Sequence, residues 1–259
     1  MRRGLRLLQH RRPVSPEKNS TRRSRPANHL LSSLSASDFD LLAGKLEQIR
    51  LPRRAMLEDK AKDIKWVYFL DSGVASVVAR VDKGREIEVG LVGREGMTGT
   101  VVVMGNHRST NTTYIQVDGS GSRIAADDLR DALRGSISLQ MYFLHFVQAF
   151  MIQVTNTAFA NGKAKIEERL ARWLLMVHDR TEGNELGLTH EFIATMLGVR
   201  RAGVTTALQH LVKLNLIEVK RSHILVRRRA GLQNIADGIY GLPEREYQRL
   251  IGWKPLHDG

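Results

Sequence analysis

Around Ala126 the hydrophobic period of this chain changes from two to 3.6 and stays helical through "AKIEERLARWLL". Strands pack with alternating faces and helices with a 3.6-residue stripe. That order of patterns implies an α+β chain with a β unit followed by helical units. Upstream, Leu30 to Leu51 has a helical pattern, with Ser35 or Ser37 able to cap a helix from Phe39 onward. The stretch from Asp63 to Gly105 then carries short β-branched and aromatic runs. Turn signals interrupt them at Asp71-Ser72-Gly73, at Asp82-Lys83-Gly84 and from Gly93 to Gly99. "TNTTYIQVDGSGSRIAADDL" adds a strand, a turn at Asp118 to Gly121 and a strand ending near Ile124. Short strands at this spacing imply an antiparallel barrel or jelly roll.

The long helical segment carries two apolar stripes. Phe143, Val147, Phe150 and Val154 form one, and Ile137, Leu144 and Met151 form another with period seven. Two stripes need two partners: one can pack on the barrel and the other can meet a copy of itself as a coiled coil. Phe143, Val147, Phe150 and Val154 are the expected homodimer face. The competing reading is a core helix of one chain. Gly162 should bend or end the helix, with a second helix from Lys163 to about Asp179. The polar segment "DRTEGNELG" then reads as a loop.

The last module is "LTHEFIATMLGVRRAGVTTALQHLVKLNLIEVKRSHILVRRR". Thr189 can cap a helix whose buried side holds Ile193 and Leu197, and Gly198 can supply the left-handed residue that ends it. Val204, Leu208 and Leu211 mark the buried side of the next helix, which completes a helix-turn-helix. The positions left over are Arg200, Arg201, Gly203, Thr205, Thr206, Gln209 and Lys213. Arg, Gln and Thr are side chains that read base edges, Gly203 lets the helix come close, and a helix N-terminus suits phosphate. "LIEVKRSHILVRR" adds two strands with a cationic tip that includes Lys220 and Arg221, a β-hairpin wing. These residues point to double-stranded DNA. "EREYQRLIGWKP" reads as a short helix packed on this module.

Charge supports the same partner. Residues 1–28 hold nine Arg/Lys against one Glu, and residues 183–259 hold 11 basic against 7 acidic groups. Residues 29–182 are nearly neutral, with 20 basic and 19 acidic groups. Cationic ends on a neutral globule suit a polyanion. Residues 1–28 read as a disordered basic arm, since they hold few apolar residues and three prolines. Leu5 to Leu8 is too short for a signal peptide. No run of 18 apolar residues occurs, so no membrane span is expected. The absence of cysteine excludes disulfides and thiolate metal sites in this chain and fits the cytoplasm.

From Leu30 to Leu250 the chain resembles the Crp/Fnr transcription regulators. The resemblance rests on "WVYFLDSGVASVV", "GREIEVGLVGREGMTG", the helix from Ile137, "AKIEERLARWLL" and "LTHEFIATMLGVRRAGVTTALQHL". It implies an N-terminal double-stranded β-roll at residues 29–130 and dimerisation and linker helices at 131–180. A winged helix-turn-helix would occupy residues 181–259. It assigns operator contacts to Arg200, Arg201, Thr205, Thr206 and Gln209, with Arg201 at the guanine-reading place. Ala202 stands where cyclic-AMP-responsive members often have Glu, and Thr206 where they often have Arg. RNA polymerase follows as a further partner.

The effector site departs from the family. Nucleotide-binding members carry a Gly-Glu pair for the ribose and Arg-Ser or Arg-Ala for the cyclic phosphate. With Gly99 in the glycine place, Thr100 replaces the glutamate. The arginine place falls on Asn111 or Thr112, and Arg108-Ser109 could serve only if the loop shifts. Gly99, Thr100, Arg108 and Ser109 are therefore the candidate pocket, but no cofactor is expected. The clustered cysteines of redox-sensing members are missing, and His107 and His145 read as ordinary polar residues rather than haem ligands. A metal-dependent enzyme on the roll would need converging His and Glu ligands, yet Asp63 to Ile124 holds only His107. Two other readings remain: a cyclic-nucleotide-responsive regulator, and a ligand-gated adaptor acting through protein contacts.

Overall fold

A computed structural model describes residues 25–81 and 85–257. The Asp82-Lys83-Gly84 turn and most of the expected basic arm lie outside the described residues. Helices α1 (His29–Ser32) and α2 (Ala36–Ala43) lead into strands β1 (Glu47–Leu51), β2 (Met56–Glu58), β3 (Trp66–Leu70), β4 (Val74–Val81) and β5 (Arg85–Val92). A one-turn helix α3 (Thr100–Val103) precedes β6 (Thr112–Val117) and β7 (Gly119–Ala125). The strands form two antiparallel sheets, ordered β1-β7-β3 and β2-β6-β4-β5. This is the expected roll.

Two early expectations need correction. The helical pattern expected up to Leu51 breaks: Ser35 caps α2 by accepting from the Asp38 amide, but Glu47 to Leu51 pair with β7 as a strand. Asn28, assigned to the arm, is fully buried; its Nδ2 donates to the Leu70 and Gly96 carbonyls at 2.8 Å.

Helices α4 (Ala126–Gly135), α5 (Ile137–Lys163) and α6 (Ile166–His178) follow. The α5 stripe Phe143, Phe146, Val147 and Phe150 fills the roll, sharing one core with Phe69, Val77 and Ile115. Close approach needs small residues on the sheet side. A Cβ on Gly96 would lie 2.5 Å from the Phe146 ring, and one on Gly90 would lie 2.8 Å from Phe150. The stripe expected to face a second copy is therefore spent inside its own chain: Phe143, Val147 and Phe150 are 0, 5 and 9% exposed, and Val154 is half-buried against the same core. The other face stays open, with Ile137, Met141, Met151 and Phe159 at 78, 48, 60 and 55% exposed. Leu144, between them, is half-buried. By length and composition α5 could also cross a membrane, although polar residues interrupt its apolar run.

Helix α6 is buried on every side from Leu170 to His178. Strand β4 explains how, because alternate residues point to opposite faces. Ala75 and Val77 face the roll core, while Val74 and Val78 face a second core. That second core is built from α6 and the last module: β8 (Glu185–Leu186), α7 (His190–Leu197), α8 (Arg201–Lys213), β9 (Ile217–Lys220), β10 (His223–Val226) and α9 (Arg229–Ile235). The roll and the last module thus share a core across the expected domain boundary. Helix α10 (Leu242–Ile251) was expected on the winged module but packs on α5, with Tyr247, Ile251 and Trp253 in the roll core.

Burying α6 against the roll buries charge. Arg180 and Glu95 pair at 2.7 Å with both side chains fully enclosed. Trp173 Nε1 donates to Glu88 Oε1 at 2.7 Å, and Ser76 Oγ lies 2.6 Å from Glu88 Oε2 and 2.7 Å from Gln116 Oε1. A hydroxyl holds one proton, so Ser76 cannot donate to both oxygens at once. Either a protonated Glu88 donates to Ser76, or the Gln116 amide turns so that its otherwise unpartnered Nε2 donates. Burial pushes the pKa of Glu88 from 4.5 up to about 7, against the opposing pull of its hydrogen bonds and of Arg172 and Arg180. A carboxyl with a raised folded pKa binds its proton more tightly in the folded state. Its contribution, about 3 kcal/mol, is full below the unfolded value and is lost as pH rises through the folded one. Glu88→Gln should abolish that share of the pH dependence. In urea unfolding, the variant's stability relative to the parent should rise across this window; a difference that does not change with pH contradicts the assignment.

Candidate nucleic-acid interface

The helix-turn-helix forms as its residues dictate. Thr189 accepts the Phe192 amide at 3.3 Å and starts α7. Gly198 ends α7 at φ +62°, a left-handed geometry that costs little without a Cβ. Ile193, Ala194, Met196 and Leu197 on α7 face Val204, Ala207, Leu208 and Leu211 on α8 in one core. Arg169 anchors the turn by donating to the Leu197 carbonyl.

On the outer side of α8, Arg201, Ala202, Thr206, Gln209, His210 and Lys213 are exposed, and Arg200 precedes them at the N-cap. No side chain caps this end, so the Arg201 and Ala202 amides are available to an anion, while the Gly203 amide donates to the Arg200 carbonyl. Neither Arg200 nor Arg201 has an acidic partner among the described residues. Thr206 Oγ1 donates to the Ala202 carbonyl at 3.2 Å, which leaves its methyl and oxygen lone pairs outward. Thr205 is half-buried; its hydroxyl donates to the Arg201 carbonyl and lies 3.3 Å from His190 Nδ1. Gly203 does not open the helix toward DNA: a Cβ there would sit 3.2 Å from Ile166 Cδ1, so its smallness serves packing of α8 on α6.

The wing is three-stranded, ordered β8-β10-β9, because Leu186 and Glu185 pair with Ile224 and Leu225. The segment read as a loop therefore contains an edge strand. At the tip Ser222 turns the chain at φ +63°, with Lys220 and Arg221 exposed beside it. Glu218 lies 3.9 Å from Lys220 Nζ but its close partner is Arg227.

The four candidate effector residues do not all converge. Gly99 donates its amide to Glu58 Oε1 at 2.7 Å. Glu58 is buried, and desolvation raises its pKa while the Gly99 amide and the nearby hydroxyls of Ser109, Thr113 and Thr98 oppose that rise. Ser109 Oγ accepts the Asn111 amide at 3.1 Å and lies near this carboxylate, where a cyclic phosphate is the alternative occupant. Arg108 faces solvent and pairs with Asp63 at 2.7 Å, and Thr100 is half-buried in α3. Of the four, Gly99 and Ser109 lie beside Glu58, while Arg108 is turned to solvent. Glu58 carried no signal in the sequence, because one Glu in a strand of three residues has no spacing to betray it. Among the described residues no cluster of three or more His, Cys, Asp or Glu could hold a metal. His107 lies in an exposed loop and His145 on α5.

Comparison with known proteins places this geometry. Residues 168–235 match the Crp-like helix-turn-helix domain. No curated protein sequence matches the chain. Among solved structures, a Crp/Fnr-family transcriptional regulator from Eubacterium rectale superposes with a TM-score of 0.64 at 20% identity, covering 80% of this chain and 97% of that one. FixK2 from Bradyrhizobium japonicum gives 0.64 at 16% identity, covering 73% and 96%. The c-di-GMP-responsive global regulator CLP of Xanthomonas campestris gives 0.60 at 17%, covering 74% and 99%. Identities this low speak for the fold. The chain therefore has the Crp/Fnr-type regulator fold and carries a Crp-like helix-turn-helix domain within it.

Proposed function

We propose that the protein is a dimeric, sequence-specific DNA-binding transcription regulator acting in the cytoplasm, with RNA polymerase as a further partner. In this reading residues 29–130 form the sensor, 131–180 the connecting helices and 181–259 the reader. The observation that carries it is the uncapped N-terminus of α8, where Arg200 and Arg201 lack acidic partners and Thr206 and Gln209 are exposed on the same helix. Arg can hold guanine O6 and N7, and Gln can pair with adenine. Lys220 and Arg221 at the wing tip supply phosphate contacts that position without specifying. Homodimerisation rests on the open face of α5. Ile137, Met141, Leu144 and Met151 recur at the spacing of a coiled-coil seam, and exposed apolar side chains of this size want cover. Glu58 in the place considered for a cyclic phosphate argues for an effector other than a cyclic nucleotide.

In gel shifts on the operator, Arg201→Ala should cost about 1–3 kcal/mol and relax one base preference. Lys220→Ala should weaken all duplexes alike and flatten the salt dependence. Equal loss on every duplex for Arg201→Ala would contradict base reading. Met151→Glu should give monomers in sedimentation and lose operator affinity while the chain stays folded, whereas Val147→Glu should unfold the roll. A Met151→Glu chain that remains dimeric contradicts the seam.

A further inference from the structure

The reader does not hang free of the roll. Its turn and first helix lie on the four-stranded sheet: a Cβ on Gly198 would meet Ile87 at 2.8 Å, Tyr114 Oη lies 3.9 Å from Met196 Sδ, and Arg53 stacks over Phe192 at 5.8 Å. Two clefts run along this seam. In one, of about 880 Å³, Arg200 and Arg201 look across at Val81, Arg85 and Ile87. In the other, of about 610 Å³, Thr189 and Phe192 look across at Arg53 and Tyr114. The parts of a helix-turn-helix that approach a duplex are the N-terminal ends of its helices. Here both ends face roll residues. A major groove about 12 Å wide needs room for a phosphate wall on each side of the reading helix. The ends of β4 and β5, at Val81 and Arg85, line the cleft on that side.

Besides the shared core, a second tie holds the reader in this position, and it lies beyond the matched domain, which stops at residue 235. Residues 240–257 leave the reader and return to the roll. At the start, Tyr240 Oη bonds Asp179 and accepts from Arg229 of α9 at 2.7 Å. Helix α10 then crosses α5. Gln153, which also accepts the Leu91 amide of β5, donates to Tyr247 Oη at 3.2 Å. Tyr142 Oη donates to the Ile251 carbonyl at 3.4 Å, and His29 Nε2 lies 2.7 Å from the same oxygen. Tyr247 and Trp253 cover the buried Arg180–Glu95 pair, with the Arg180 guanidinium 5.9 and 5.2 Å from their ring centres. Finally the His257 ring stacks on His178 at 3.7 Å.

We propose that residues 240–257 are a strap that holds the helix-turn-helix closed against the roll, and that reading DNA requires the strap to release. This rests on the DNA reading above and names its regulation. A closed form that cannot bind lowers apparent affinity by the fraction of chains that are open.

Two full-length variants test it. Trp253→Ala weakens the strap. Ile87→Cys with Gly198→Cys locks the seam: a Cβ at 198 lies 3.6 Å from Ile87 Cβ, within disulfide reach, and the chain has no other cysteine. Trp253→Ala should speed amide exchange in α10 and at α7 and tighten duplex binding about tenfold. The oxidised double-cysteine chain should bind about tenfold more weakly than the same chain reduced, which carries the same strain at Gly198. Oxidised and reduced forms of equal affinity overturn the proposal. So does faster exchange in Trp253→Ala with affinity unchanged. If no form binds any duplex, the DNA reading fails, and the strap as a regulator of DNA binding fails with it. Exchange at α7 then judges the tie by itself: faster exchange upholds it and unchanged exchange refutes it.

Discussion

Enclosing α6 on all sides is the constraint on which the rest of the structure depends. A helix with no solvent face must bury whatever polar groups it carries, and a buried charge is tolerable only when paired and hydrogen-bonded. Arg180, just past the helix end, meets Glu95 on the roll, while Trp173 meets Glu88. Arg172 donates to Thr157 of α5. Each of these partners comes from a different element, so the roll, α5 and α6 are fixed to one another by chemistry as well as by apolar contact. Losing one member of the Arg180–Glu95 pair would strand the other in a low-dielectric interior.

The two cores give this frame its functional sense. One face of β4 belongs to the core of the roll and the other to the core of α6 and the helix-turn-helix module. A change in the roll therefore has a direct path to α6, and α6 carries α8 through the Gly203–Ile166 contact. Glu58 is enclosed within the roll beside Gly99, and Phe146 and Phe150 press against Gly96 and Gly90 beneath the long helix.

The reader module was the most legible part of the sequence, because Thr189, Gly198 and the spacing of Val204, Leu208 and Leu211 are local signals. The strands of the roll were legible from period two and glycine turns. What was not legible depended on distant partners. Strand β1 carries Glu47, Gln48 and Arg50 with only Leu51 buried, so its own pattern cannot distinguish helix from strand, and pairing with β7 decides. Both stripes of α5 are apolar; which one enters the roll is settled by Gly90 and Gly96, far away in sequence. Gly203 looked like a residue making room for DNA, but Ile166 occupies that space. Helix α10 showed its amphipathic face plainly, while its partner, α5, could not be read from spacing.

Selection of bound sequences from a random pool of duplexes by the full-length protein is the most direct measurement of the central claim. A dimeric reader should enrich two inverted half-sites whose centres lie about one helical turn, roughly 10 base pairs, apart or a multiple of that. Recovery of an unenriched pool, or of unpaired sites with no fixed spacing, would contradict it.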